Sequence, residues 1–134
     1  MFDDVVRWLH LIAAGVWVGG LITLGALVAA VRRAGADRSI LRAMAHQFGK
    51  VSWAAMVMAV VTGIVQLSRS DVSLSEDSGY AAALLVKLIF VGLAAGLALF
   101  HQLTARTSTP TTRGIVQGLI LVSSLGIMAA AVAL

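Results

Sequence analysis

The sequence predicts an all-α integral membrane protein, a four-helix bundle forming one transmembrane domain over residues 1–134, with both termini outside. Three observations carry this. Hydrophobic residues make up 60% of the chain and charged residues 12%, against roughly 45–50% and about 25% in soluble proteins. Four apolar runs are long enough to cross about 30 Å of hydrocarbon, which takes about 20 residues. The charged residues fall mostly at the chain start and in three short gaps between those runs.

The runs extend approximately over 5–31, 51–67, 81–103 and 114–134. The first follows Met1-Phe2-Asp3-Asp4 and is longer than the apolar core of a signal peptide, so it is expected to be retained. The gap after it holds Arg32, Arg33, Arg38 and Arg42, with Lys50 at the next span, against Asp37 alone. Basic residues flanking spans stay cytoplasmic, which places this loop inside. Residues 39–49 intersperse Ile40, Leu41, Met44 and Phe48 with polar residues, so the second helix is expected to begin early, as an amphipathic stretch lying along the cytoplasmic interface. The second gap mixes Arg69 with Asp71, Glu76 and Asp77 and is placed outside; the third carries Arg106 and Arg113 without an acid and is placed inside. Thr107-Ser108-Thr109-Pro110 reads as a turn ending the third helix, with the fourth span starting near Gly114.

Small residues recur at four-residue spacing: Gly15 and Gly19, Ala59 and Gly63, Gly92 and Gly96, Gly114 and Gly118. Such faces let helix backbones approach closely in lipid, which favours a compact bundle.

Composition and motifs exclude several functions. The pI near 10.8 and net charge of +4 reflect topology rather than nucleic-acid binding. Without cysteine there are no disulfides, thiolate metal sites or cysteine nucleophiles. No phosphate loop, HExxH or nucleophile elbow occurs, and no residue is assigned a catalytic role.

The informative positions are the polar side chains inside the spans. His10 lies in span one with Trp17 seven residues on, along the same face. Lys87 is the basic side chain well inside span three, where an amine costs roughly 2.5–3.5 kcal/mol unless it pairs, faces a cavity or snorkels. Spans one and three run in the same sense, so His10 and Lys87 are expected at similar depth. Thr62 and Gln66, four apart on span two, are expected to meet them there. A second level is offered by His46 and His101, both at the cytoplasmic side, an arrangement that invites a bis-imidazole haem reading. Met56 and Met58, two apart on a helix, point away from each other and do not chelate together.

The segment Trp8-Leu9-His10 through Trp17-Val18-Gly19-Gly20-Leu21 resembles the opening His–Trp–Gly–Gly helix of the copper-resistance D (CopD) family. Phe48 to Leu67, with Thr62-Gly63, is similar to that family's Phe…Thr-Gly helix, and Tyr80 to Leu88, with Leu84-Leu85-Val86-Lys87-Leu88, to its Tyr…Leu-Leu-x-Lys-Leu segment. The resemblance implies a copper-uptake or copper-tolerance role in the bacterial plasma membrane. Its site would use His10 as copper ligand, Thr62 and Gln66 as supporting donors, Trp17 as cavity wall and Lys87 as a tuned base or anion partner. Many members are longer, with extra spans or a fused copper-binding domain, so a copper donor protein or a second copy of the chain is a candidate partner alongside the lipid bilayer.

His10, Trp17, Lys87 and Phe100-His101 also resemble HemJ-type protoporphyrinogen oxidases, four-helix proteins that bind haem b. That resemblance implies His10 as haem ligand and Lys87 as essential, although the arginine following the Trp–Gly segment in that family has no counterpart here. A third reading is a non-catalytic accessory subunit.

Overall fold

A computed structural model describes residues 1–71 and 75–133. The order is α1 (Phe2–Arg33), α2 (Arg38–Ser68), α3 (Ser78–Thr104) and α4 (Pro110–Ala133), with no strand among the described residues. All four helices are long and apolar enough to cross a membrane, so the all-α, multi-pass reading is borne out. Residue Leu134, the end of the fourth expected run, lies outside the described residues. The chain divides into two compact units, Met1–Ser70 and Asp71–Leu134, and within each a pair of successive helices packs together.

In the first hairpin, α1 ends in a Schellman motif. The amide of Ala36 donates to the Val31 carbonyl (3.2 Å) and that of Gly35 to the Arg32 carbonyl (3.0 Å). Gly35 sits at φ +78°, where a Cβ is strained. A Gly35→Ala substitution is therefore expected to cost about 1–2 kcal/mol, seen as a lower SDS-denaturation midpoint of the purified chain.

From Arg38 onward α2 is one unbroken helix of 31 residues, about 46 Å long. The early start is borne out, and residues 39–49 are continuous with the rest of the helix. Near the end of this stretch the Phe48 ring packs on α1, where it would come within 2.8 Å of a Cβ added at Gly20.

In the second hairpin, Asp77 caps α3 by accepting from the Tyr80 amide at 2.9 Å. This gives one residue of the acidic gap a structural task. Helix α4 starts at Pro110 rather than near Gly114. The Thr109 hydroxyl accepts from the Thr112 amide at 3.2 Å, and proline suits the first helical position because its missing N–H would be unpaired there anyway. Pro110 thus opens α4 as well as lying beyond the end of α3. Further along, Phe90 packs on Gly126, where an added Cβ would meet its ring at 2.8 Å. The buried Ser124 hydroxyl donates to the Ile120 carbonyl at 2.7 Å.

The small-residue pairs divide unevenly. A Cβ at Gly63 would touch His10, whereas within their own hairpins Gly15, Gly19, Gly92, Gly96, Gly114 and Gly118 have no atom within 4 Å of an added Cβ. The close approaches instead fall at Gly20, Gly63 and Gly126, each opposite an aromatic or imidazole ring.

Candidate functional site

Along α1, Asp3, Arg7 and His10 follow at intervals of four and three, with Trp17 seven further on, and so share one helix face. On α2, Ala59, Thr62, Gly63 and Gln66 do the same, with Arg69 following as the residue that caps the helix end. The antiparallel pairing of the two helices matches them in layers, and His10 forms the best-defined one.

The His10 Nδ1 lies 2.9 Å from the Ala59 carbonyl oxygen and 3.0 Å from the Thr62 Oγ1. A carbonyl only accepts, so Nδ1 carries the hydrogen. The Thr62 hydroxyl directs its own proton to the Met58 carbonyl at 2.6 Å, which turns its lone pairs toward the imidazole. Nδ1–H is therefore shared between two acceptors on α2. In the neutral ring the lone pair then resides on Nε2, the nitrogen that can bind a metal or take up a proton.

Gly63 provides the room, since a Cβ there would stand 3.3 Å from the His10 Cε1 and 3.7 Å from Nδ1. The adjacent Thr62-Gly63 pair thus has a physical meaning in this chain: the threonine holds the ring and the glycine lets it in. Thr62 itself is buried. With Thr62→Val the Ala59 carbonyl remains as acceptor, so a site built on Nε2 is expected to lose affinity by only about threefold to tenfold. That lies at or below the usual loss for an orienting partner, and chelator competition measures it.

Of the other expected site residues, Trp17 is buried two turns deeper on α1. Gln66 lies one turn along α2 from Thr62 but takes no part in the tether: its Nε2 is shielded from solvent and has no hydrogen-bond partner. It lines a cavity of about 270 Å³ together with Asp3, Arg7 and Arg69. At the rim, the Arg69 Nε donates to Asp3 Oδ1, with Nη2 3.5 Å from Oδ2, and the guanidinium lies 4.8 Å from the centre of the Phe2 ring. Hydrogen bonding to the carboxylate holds Arg69, just beyond the end of α2, above its ordinary pKa, so it stays charged.

His46 is exposed on the first hairpin. Lys87 and His101 belong to α3 of the second hairpin, and both are half-buried. Among the described residues no group of three or more His, Asp or Glu side chains gathers as a metal cage.

Sequence reasoning missed the role of the Ala59 carbonyl, because a backbone acceptor carries no residue signature. It also passed over Asp3, Arg7 and Arg69, although the Asp3–Arg7–His10 spacing already placed them on the His10 face. A comparison of the chain with protein-family models, curated proteins and solved structures finds no match.

Proposed function

We propose that this chain is a copper-handling membrane protein in which His10 binds the metal through Nε2. The supporting observation is the anchoring of Nδ1–H on a backbone carbonyl of the neighbouring helix. Metal-ligating histidines ordinarily have their second nitrogen fixed in this way, which sets the tautomer, aims the ring and raises its basicity. Imidazole suits several transition metals, and the CopD resemblance selects copper among them. In the topology given by the charge bias, both termini lie on the extracytoplasmic side of a bacterial plasma membrane, which puts His10 near that surface. Copper would then be delivered by a donor protein or a second copy of the chain. Lys87, an amine within an apolar run, is the second residue on which this function depends.

The test is a Cu(I) titration of the purified full chain against a competing chelator, together with its visible absorption spectrum. The expected result is a colourless protein that binds Cu(I) through His10, and copper tolerance in cells that falls with Lys87→Ala. A Soret band abolished by His10→Ala would transfer the site to haem b. A chain with neither property would leave the accessory-subunit reading.

A further inference from the structure

The cavity lined by Asp3, Arg7, Gln66 and Arg69 lies one helical turn beyond the His10 tether and has a separate chemistry. Gln66 is one of its lining residues, and the Gln66 Nε2 is a donor removed from solvent without a hydrogen-bond partner. Leaving such a group unpaired costs about 1–3 kcal/mol, so an acceptor brought by a ligand would be favoured there.

Arg7 makes no ion pair among the described residues, while Arg69 engages Asp3 through Nε and Nη2. That pairing leaves the Arg69 Nη1 hydrogens for a ligand. Two guanidinium groups and one carboxylate give the cavity a net charge of +1. The available donors are N–H groups, and the one acidic side chain is already used.

A neutral ligand would leave that charge uncompensated, and a divalent anion would overshoot it against Asp3. The fit is a singly charged tetrahedral oxyanion, which a guanidinium fork and an amide N–H bind through separate oxygens. The setting is equally specific, because Arg7 lies at the start of the first apolar run and Arg69 just past the end of the second. Exposed Phe2 and Trp8 flank the position, as aromatic side chains do where hydrocarbon meets headgroups.

We propose that the Asp3–Arg7–Gln66–Arg69 cavity is a binding site for a singly charged phosphate group, with Arg7 as counterion, the Gln66 Nε2 as buried donor, and Asp3 holding Arg69 in place. The phosphate is that of a lipid headgroup or of the free monovalent ion. The site stands independently of copper binding at His10.

Native mass spectrometry of the delipidated full chain in a neutral detergent, titrated with dioleoyl-phosphatidylglycerol, tests the assignment. Arg7→Gln and Gln66→Leu should each weaken retention of one lipid by about tenfold, on the scale of a lost charge-assisted hydrogen bond. Arg7→Lys should retain most of the binding, and Arg38→Gln, at the opposite end of the hairpin, should match the wild type. Gln66→Glu, which keeps the shape but replaces the donor with an anion, should lose more than Gln66→Leu. Circular dichroism confirms that each variant is helical.

Displacement of the lipid by millimolar inorganic phosphate identifies the free ion as the occupant, and resistance to it identifies the headgroup. Wild-type lipid retention in both Arg7→Gln and Gln66→Glu, or an equal loss in Arg38→Gln, overturns the site.

Discussion

Replacing His10 with alanine is expected to weaken Cu(I) binding by at least about a hundredfold, or about 2.7 kcal/mol, while the chain still folds. The two effects separate because of how the imidazole is held. Its Nδ1–H is donated to the Ala59 carbonyl and the Thr62 hydroxyl. Both acceptors keep partners without it: Ala59 lies within α2, and the Thr62 hydroxyl remains bonded to the Met58 carbonyl. Neither of these acceptors is orphaned, so the expected stability loss is about 1 kcal/mol. Chelator competition reads the first effect and the SDS-denaturation midpoint the second. Wild-type affinity in the variant would remove His10 from the site, whereas a collapse of helicity would make the histidine a structural residue. His10→Gln sharpens the comparison, since its amide can still donate to Ala59 but offers no imidazole nitrogen to a metal.

The helices were legible because an apolar run long enough to span a bilayer has few alternatives. Their boundaries were less so, and each departure has a physical cause. After Thr107-Ser108-Thr109 the sequence presents Pro110 as the close of a turn, but the same absent N–H that bars proline from a helix interior suits it to a first turn. For residues 39–49 the early helical start is legible in the pattern, but the packing of Phe48 on Gly20 is not, because it depends on which backbone lies opposite the ring.

For the site, the pattern identified which residues share a face but not which atoms bond. Thr62 and Gln66 looked equivalent from the sequence. In the structure the Thr62 hydroxyl reaches the imidazole, while Gln66 lines a neighbouring cavity and its Nε2 has no hydrogen-bond partner. The deciding partner, the Ala59 carbonyl, is a backbone atom whose availability depends on helix packing. The same limit applies to the small-residue pairs, because a small side chain permits close approach and the opposing group decides whether it occurs.

Gly63→Ala should show binding and stability moving in opposite directions. Alanine is favoured over glycine in a helix by about 0.8–1.0 kcal/mol, so the change strengthens α2 in isolation. The new methyl group, however, would lie 3.3 Å from the His10 Cε1, closer than comfortable carbon–carbon contact. The ring has to yield by a few tenths of an ångström, and its Nδ1–H is already committed to two acceptors at 2.9 and 3.0 Å. The shift therefore lengthens the tether and turns Nε2 off its aim. Disturbing such an orienting contact costs about 10- to 100-fold in metal affinity. The expected outcome is an SDS-denaturation midpoint that holds or rises while Cu(I) affinity falls. Gly15→Ala supplies the comparison, because an added Cβ there meets nothing within 4 Å in its hairpin. That variant should gain helix stability with no change in binding. Equal affinities in the two variants would mean that Gly63 does not shape the His10 pocket, and that the ring is oriented by something other than its bond across to α2.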